Sequence, residues 1–504
     1  MLRFLVFVIV VGSVICGRPR ILEISTRPYL YSLSEKYGRS ITKFRDIPDQ
    51  EFVNLAGGNY THVWFMGVWA LGPYGLNHDR TDPNLLASYA QVLPDYTVSS
   101  IIGTPYAVVS YDVNPELGSE SDLVWLRQKL RAQGLLLVLD YAPNHTAIDS
   151  PWMTSNIDYY VRAPKGTPTP YDSKVYFTNG VALGGDQWDH WSDTAQLNYW
   201  NMDLKKVRIA ELKKVASLAD AIRCDMAMLI LNDCIEKDWS TQLSSWGYKR
   251  PSTEFWADAI SSVKASYPNT IFIAEAYWDM DEILMANGFD FIYGKALLDD
   301  LASWDLSSIW SYIKNRSDKF SKTLSFIENH DEPRAVAKFG DWVKADSAAI
   351  VAFTLPGAKL LFDGETYGYK NKLDVHLRRA KSESKISQVT DFYDQLLDII
   401  SQDVFAKGDW TLIEGNTNKG QVVSWRYSLS TKSGTSKRLV VVNFTEVKAA
   451  ADVVVADAVG KNGGDSIDIK ELFSGAVYTR SASTMKTKGL TIVLDPWRGQ
   501  IFEY

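Results

Sequence analysis

Cysteine is scarce in this sequence, with only Cys16, Cys224 and Cys234 among 504 residues. A disulfide framework therefore cannot hold the fold together, because folds stabilised in that way need several pairs. A chain of this length with 46% hydrophobic residues can instead bury a large core. We expect two or three structural units.

Long runs of like charge are also absent. The 60 acidic and 53 basic residues are interspersed and leave a net charge of −7. Proteins that bind nucleic acid usually present a concentrated basic surface. We therefore expect no nucleic-acid partner, and nothing in the composition indicates an oligomeric state.

Only one long apolar run occurs, at the N-terminus. Residues 4–14 are apolar and follow Arg3, and Cys16 and Gly17 come before the next basic residue. This is the layout of a signal peptide, which we place at residues 1–17. The run is shorter than the roughly 20 residues that cross a bilayer. We therefore predict a secreted or lumenal protein without a stable membrane span.

Residues 18–405 alternate short β-branched or aromatic runs with longer amphipathic stretches. That alternation predicts repeated βα units closed into an α/β (β/α)₈ TIM barrel. Residues 146–200 interrupt the rhythm and are predicted to form an inserted subdomain after the third strand. From residue 406 to residue 504 short alternating runs predict a C-terminal all-β sandwich domain.

Eight barrel strands are expected. One lies near residues 21–25 or 29–33, and the others are 61–69, 135–140, 221–225, 270–275, 289–294, 323–329 and 359–363. The stretch 121–134 places leucines at helical spacing and ends at a glycine, which predicts a helix.

Four of these strands end in carboxylates, histidines or arginines. The segments are LDYAPNH (139–145), IRCDMAM (222–228), IAEAYW (273–278) and IENHDEP (327–333). Strand ends of a parallel barrel open onto one face, so residues distant in sequence converge there. Any one of these residues could serve as a helix cap or satisfy a loop, but their combination favours an active site.

Three carboxylates, Asp225, Glu275 and Asp331, follow the predicted fourth, fifth and seventh strands. Retaining glycoside hydrolysis needs a carboxylate nucleophile and a carboxylic acid about 5–5.5 Å apart. Neighbouring strands of a barrel can supply that separation. The sequence therefore indicates a retaining glycosidase.

The four segments resemble the four signature regions of the alpha-amylase family, glycoside hydrolase family 13; no subfamily is identified. LDYAPNH is similar to the first region, IRCD to the second, IAEA to the third and ENHD to the fourth. The resemblance extends to PYAVVSYDVNP (105–115), to residues 355–368, and to the long insert and the β tail. It covers nearly all of the chain after residue 17.

The resemblance implies a role for each matching residue. Asp225 would be the nucleophile, Glu275 the general acid and base, and Asp331 the stabiliser of the transition state. Arg223 would hold the nucleophile ionised. The resemblance also implies that His145 and His330 bind sugar hydroxyls and that Tyr106 stacks on the sugar, whereas Asp140 is expected to shape the site.

The sequence departs from the family pattern after the nucleophile. Starch-cleaving members usually carry a Lys-His pair where this chain has Met228 and Leu229. The acceptor side of the site should therefore differ, and exo action or transglycosylation remain open. The family's structural Ca²⁺ ion is also implied, with Asn144 as the one ligand we name.

The predicted activity is hydrolysis of alpha-linked glucosyl bonds in starch-like oligo- or polysaccharides. Three alternatives remain open: an alpha-glucan transglycosylase, a catalytically silent carbohydrate-binding relative, and an unrelated barrel whose acidic strand ends bind a metal. A silent relative is expected to lose a carboxylate of the triad. A metal-binding barrel is expected to place its carboxylates around an ion rather than around Arg223.

Overall fold

A computed structural model describes residues 17–185, 189–414, 417 and 420–504. The predicted signal peptide, residues 1–17, lies almost entirely outside the described residues. Eight parallel strands close into a barrel in which each strand pairs with its neighbour in chain order and the first pairs with the last. The strands are Arg20–Ser25, His62–Met66, Leu136–Tyr141, Ala221–Cys224, Ile271–Ala274, Phe291–Tyr293, Thr323–Ser325 and Ala358–Phe362.

The barrel strands are apolar on both faces, as expected for strands buried between a filled interior and an outer layer of helices. All residues of the second, fourth, fifth, seventh and eighth strands are buried. The first strand is ILEIS, and the alternative stretch at residues 29–33 belongs to the following helix. The predicted (β/α)₈ fold is thus confirmed.

Helices connect the strands and cover the outside of the barrel. The helix expected at residues 121–134 runs over Glu120–Ala132, and Gly134 follows it with φ +78°, a left-handed conformation that suits a helix end. Among the described residues no helix is long and apolar enough to cross a membrane. The helices between residues 26 and 407 are Thr26–Tyr37, Asp49–Gly57, Pro73–Asp79, Pro83–Val92, Glu120–Ala132, Trp152–Ser155, Met202–Leu218, Asn232–Ser245, Phe255–Lys264, Asp281–Ala286, Lys295–Ser303, Leu306–Asn315, Ala335–Lys338, Trp342–Thr354, Ser387–Ser401 and Asp403–Lys407.

An excursion of the chain follows the third barrel strand. It contains an antiparallel sheet of His145–Ala147, His190–Gln196 and Leu183–Gly185, in that order. A separate pair, Trp69–Leu71 with Val108–Val113, follows the second barrel strand. Both excursions leave from the carboxyl ends of barrel strands, where active sites of this architecture lie.

The C-terminal domain is built from antiparallel sheets that share one apolar core. A six-stranded sheet has the order Asp409–Leu412, Val422–Thr431, Gly434–Asn443, Arg498–Glu503, Ser466–Glu471 and Val477–Ser481. Ala449–Val453 pairs with Leu490–Leu494, and a short helix spans Ala482–Thr487. The all-β C-terminal domain predicted from the sequence is confirmed.

The two domains pack through a continuous apolar core. Ile350 of the helix Trp342–Thr354 belongs to the same buried cluster as Val442 and Ile501 of the C-terminal sheet. Gly499 lies so close to this helix that a Cβ atom there would come within 2.8 Å of Ile350 Cδ1. Only glycine permits this close approach.

Candidate active site

The three predicted catalytic carboxylates lie at the carboxyl ends of barrel strands. Asp225 directly follows the fourth strand, Glu275 directly follows the fifth, and Asp331 lies beyond the end of the seventh. Asp225 and Glu275 are 7% and 4% exposed, whereas the Asp331 side chain is 46% exposed. The site therefore opens to solvent beside Asp331.

One guanidinium joins two of these carboxylates. Nη1 of Arg223 donates to Oδ1 of Asp225 at 2.7 Å, and Nη2 lies 2.8 Å from Oε2 of Glu275. The second contact is an ion pair whose angle falls outside hydrogen-bond geometry, and Nη2 makes no hydrogen bond to a described residue. Nε of Arg223 donates to the Tyr293 hydroxyl at 3.2 Å. The buried arginine thus fixes the relative positions of both acids.

Burial raises the pKa of Asp225, and the adjacent Arg223 guanidinium opposes this rise. Burial also raises the pKa of Glu275, to about 7, with further increases from Asp225 and Asp331 and an opposing effect of Arg223. A carboxyl with this pKa can hold a proton near neutral pH, as a general acid must.

Two further groups bind the Glu275 carboxyl. The Tyr277 hydroxyl donates to Oε1 at 2.8 Å, and the Met226 backbone N–H donates to Oε2 at 2.7 Å. Met226 has φ +39°, a left-handed conformation that is strained for a residue with a side chain. The strained backbone aims an N–H group at the predicted general acid.

His330 connects Asp331 to a buried carboxylate on the first barrel strand. Its Nδ1 lies 2.5 Å from Oε1 of Glu23, and its Nε2 lies 3.0 Å from Oδ2 of Asp331. Burial alone would lower the pKa of His330, but Asp331 and Glu23 outweigh it and raise this pKa to about 10. Both ring nitrogens then carry protons: Nδ1–H donates to Glu23, and Nε2–H lies 3.0 Å from both the Asp331 carboxylate and the Tyr106 hydroxyl.

The positive charge of His330 in turn acts on Asp331. Burial would raise its pKa, but the charge and hydrogen bond of His330 prevail and lower it to about 2. Between about pH 2 and about pH 7, Asp331 is therefore an anion while Glu275 is protonated. Two acids with such different pKa values at one site can take different chemical roles.

Tyr106 links His330 to His145. Nε2 of His330 also lies 3.0 Å from the Tyr106 hydroxyl, and the two rings are stacked with centroids 5.6 Å apart. Nε2 of His145 lies 3.2 Å from the Tyr106 carbonyl oxygen. Burial lowers the pKa of His145 to about 4, so this imidazole is neutral near pH 7. Its Nδ1 has no hydrogen-bond partner among the described residues.

Asp140 supports the site from the third barrel strand. Its Oδ2 accepts hydrogen bonds from Trp64 Nε1 at 3.1 Å and from the Gly67 N–H at 3.2 Å. Its Oδ1 lies 3.9 Å from Arg223 Nη1. These contacts hold the Asp140 carboxylate beside Arg223, as expected for a residue that shapes the site.

The structure thus brings together seven of the eight site residues predicted from sequence. Contacts of 4 Å or less between the named atoms, partly through Asp140, link Arg223, Asp225, Glu275, Asp331, His330, Tyr106 and His145. The eighth, Asn144, precedes His145 in the chain, but its side chain makes none of these contacts.

The Asn144 side chain forms hydrogen bonds with the side chain of Gln196, which lies in the strand His190–Gln196. Gln196 Nε2 donates to Oδ1 of Asn144 at 2.9 Å and lies within 3.4 Å of the carbonyl oxygens of Asn144 and Leu197. In return, Asn144 Nδ2 donates to Gln196 Oε1 and to the Gly185 carbonyl oxygen, both at 3.1 Å. The donor to Gly185 fixes which atom of the Asn144 amide is the oxygen.

This arrangement does not fit a Ca²⁺ ligand set. Three oxygen atoms accept hydrogen bonds from the Gln196 amide nitrogen, so a cation that used these oxygens would have to displace the Gln196 side chain. Within the described ranges no group of three or more His, Cys, Asp or Glu residues is arranged to hold a metal ion.

Met228 and Leu229 replace the polar pair of the family pattern without facing solvent. They lie in a short helical turn, Ala227–Ile230, and are 0% and 3% exposed within the barrel core. Both side chains are apolar and buried, so neither can form the polar contacts to a substrate that the Lys-His pair would make.

Several functional contacts were not predicted from the sequence. They involve Glu23, Tyr277, Gln196 and the backbone of Met226. Tyr277 lies two residues after Glu275 in the motif IAEAYW, and this closeness in sequence could have indicated that it contacts Glu275. Met226 likewise lies in a quoted motif, next to Asp225, whereas Glu23 and Gln196 lie outside the four strand-end motifs.

Comparisons with known proteins place these residues in a family context. Residues 105–411 match the family model described as "Alpha amylase, catalytic domain". The chain is 24% identical over 298 residues to "Alpha-amylase 3" of Dictyoglomus thermophilum, which covers 53% of this chain and 54% of that protein. It is 22% identical over 318 residues to "Oligo-1,6-glucosidase" of Parageobacillus thermoglucosidasius, covering 53% and 56%. The chain thus spans about half the length of these curated relatives.

A solved structure shares the fold over nearly the whole chain. The maltogenic alpha-amylase AmyB from Thermotoga neapolitana superposes with a TM-score of 0.68 at 18% sequence identity. The superposition covers 96% of this chain and 98% of that chain.

Proposed function

The chain belongs to the alpha-amylase family, and we propose that it hydrolyses alpha-linked glucosyl bonds of starch-like oligo- or polysaccharides with retention of the anomeric configuration. The names of its relatives, alpha-amylase and oligo-1,6-glucosidase, support this substrate class. The family model includes all three carboxylates and Arg223 within residues 105–411.

One observation carries the proposal. A single buried guanidinium, that of Arg223, contacts both Asp225 and Glu275. This contact favours the ionised form of the nucleophile and holds the acid beside it. Glu275 retains a proton up to about pH 7, while Asp331 is ionised.

The proposed reaction proceeds in two steps. Asp225 attacks the anomeric carbon through Oδ2, because Oδ1 is held by Arg223 and no hydrogen bond from a described residue engages Oδ2. The bond from that carbon to the leaving oxygen breaks as Glu275 donates its proton to the oxygen. Glu275 then removes a proton from water, and the hydroxide attacks the anomeric carbon and releases Asp225.

Asp331 and the two histidines contribute charge and hydrogen bonds. The exposed Asp331 carboxylate stabilises the positive charge that develops on the sugar ring in the transition state. His330 contributes the positive charge of its protonated ring beside Asp331, whereas neutral His145 offers Nδ1, which has no hydrogen-bond partner among the described residues, as an acceptor for a sugar hydroxyl. Tyr106, stacked on His330, presents the rest of its ring to the sugar.

The test is an analysis of products from maltooligosaccharides, with ¹H NMR to identify the anomer released first. We expect the alpha anomer from the unaltered protein. Asp225→Asn should reduce turnover at least about a thousandfold while the protein remains folded, with a cooperative unfolding transition. Asp318→Asn, an exposed aspartate on a turn outside the site, is the matched control and should leave turnover unchanged.

Each other outcome has a defined meaning. Release of the beta anomer, or turnover by Asp225→Asn at the original rate, would contradict the proposal. Products longer than the substrate would mean that a sugar replaces water as the acceptor. No turnover of any alpha-glucan would leave a silent carbohydrate-binding relative as the correct description.

The proposal includes passage through the secretory route, supported by the apolar run and small residues of the N-terminal 17 residues. Sequencing the N-terminus of the protein recovered from its native source tests this. A mature chain that begins near Arg18 is expected, and a chain that retains Met1 would contradict it.

A further inference from the structure

A cavity of about 400 Å³ lies between the barrel and the C-terminal domain. Its walls come from the helix Trp342–Thr354, the helix Ser387–Ser401, the start of the last strand, Arg498–Glu503, with Trp497 before it, and Phe473. The volume falls within the range of about 300–1,000 Å³ typical of small-molecule sites. None of its lining residues belongs to the active site described above.

Two buried polar groups at this cavity lack hydrogen-bond partners. Asp346 is 4% exposed and its Oδ1 has no partner among the described residues. The neighbouring Ser347 is 1% exposed, and its hydroxyl is likewise unpaired. An unpaired buried polar group is unfavourable, so a bound molecule that satisfies these groups would gain affinity.

Aromatic rings form the walls around these groups. Phe392 of the barrel stacks on Phe473 of the C-terminal domain, with ring centroids 5.7 Å apart. Trp342 and Trp497 complete the aromatic lining. Flat apolar rings beside convergent polar groups suit a ligand that has both C–H faces and hydroxyl groups.

The charges at the cavity favour a neutral ligand. The lining includes one exposed carboxylate, Asp391, and one exposed guanidinium, Arg498, whose charges offset each other. Burial raises the pKa of Asp346 to about 8, so at neutral pH this carboxyl is largely protonated and can both donate and accept. Exposed Gln388 and Gln395 at the cavity add amides with the same dual capacity.

We propose that this cavity is a second carbohydrate site that binds one hexopyranosyl unit of an alpha-glucan, with Asp346 and Ser347 bonding its hydroxyls and Trp342 contacting its ring. The choice of alpha-glucan rests on the function proposed for the active site. The second site holds substrate at the domain junction and takes no part in bond cleavage.

The test uses the Asp225→Asn protein, which should not consume substrate, labelled with 5-fluorotryptophan and titrated with maltotriose. The chain has 17 tryptophans, and ¹⁹F NMR can follow each of them separately. Trp342 reports on the cavity, whereas Trp64, which lies against Arg223 and His330, reports on the active site. Each signal is assigned by its loss in the corresponding Trp→Phe variant.

We expect a saturable shift of the Trp342 signal. Asp346→Leu should weaken the affinity reported by Trp342 at least about tenfold, a change of 1.4 kcal/mol, without altering the Trp64 titration. Asp346→Asn keeps a donor and an acceptor of similar size and should retain binding. Tyr267→Ala, at an exposed aromatic outside the cavity, is the matched control for any surface effect.

The two reporters separate the two proposals. A Trp64 signal that never shifts would contradict the proposed function, whatever Trp342 shows. A Trp342 signal that does not respond to maltotriose, or that shifts equally in Asp346→Leu, would overturn the second site. A response of Trp342 to tetramethylammonium in place of maltotriose would also overturn it, because the cavity would then bind cations.

Discussion

Replacing Glu23 with Gln should change the charge state of His330. Nδ1 of His330 lies 2.5 Å from Oε1 of Glu23, and both residues are at most 1% exposed. Glu23 and Asp331 together raise the pKa of His330 from 6.5 to about 10. Two unit charges about 4 Å apart interact by about 4 kcal/mol at an effective dielectric constant near 20, equivalent to a pKa change of about 3. Glu23→Gln should therefore lower the pKa of His330 to about 7.

NMR of protein labelled with ¹³C-histidine measures this pKa directly. The chain has six histidines, and the His330 signal is the one lost in His330→Gln. In the unaltered protein we expect His330 to remain protonated beyond pH 9, and in Glu23→Gln to titrate near neutral pH. Glu51→Gln, at a buried glutamate that binds Lys36 and Tyr37 instead, is the control and should leave the titration unchanged.

The same change should alter the pH dependence of stability. The pKa of His330 is raised in the folded state, so its contribution is complete below pH 6.5 and is lost as the pH rises through about 10. The loss of unfolding free energy caused by Glu23→Gln should therefore be largest near pH 6 and shrink toward pH 10. A titration of His330 near 6.5 in the unaltered protein, or an identical midpoint in Glu23→Gln, would refute this reasoning.

Three further outcomes are expected. The value of kcat/KM should fall above about pH 7 as Glu275 loses its proton. Tyr277→Phe should move this fall to higher pH, because the Tyr277 hydroxyl stabilises the ionised Glu275 carboxyl. The pH profile of kcat/KM measures both effects. Gln196→Ala should lower the free energy of unfolding by about 1–3 kcal/mol, whereas EDTA should leave the Tm of the unaltered protein unchanged; a fall in Tm with EDTA would contradict the assignment of Gln196. Arg223→Gln should abolish turnover and lower the free energy of unfolding, measured by chemical denaturation, by about 3–5 kcal/mol, because it leaves two buried carboxyls without their cation. An unchanged free energy of unfolding would contradict the importance of these ion pairs.

The barrel and its catalytic end could be predicted because their signals are local. Buried parallel strands read as short apolar runs, and the active-site side chains of this architecture lie at the carboxyl ends of those strands. Asp225 and Glu275 each follow such a run directly, and Asp331 lies in a motif with His330 and Asn329. Their convergence then follows from barrel geometry alone.

The supporting contacts could not be predicted because they depend on tertiary geometry. Glu23 is one polar residue within an apolar strand, which indicates an outward-facing side chain as readily as a buried partner of His330. Nothing in a methionine side chain indicates that Met226 adopts a positive φ and directs its N–H to Glu275. Gln196 lies 52 residues from Asn144, and only the folded insert brings the two amides together.

Peptide mass mapping can detect the covalent bond that Asp225 is proposed to form with the sugar. The Glu275→Gln protein lacks the acid and base but should still react with alpha-maltosyl fluoride, whose leaving group needs no proton. We predict one maltosyl unit attached to the peptide that contains Asp225. An adduct on another residue, or turnover to the beta anomer without any adduct, would contradict this account.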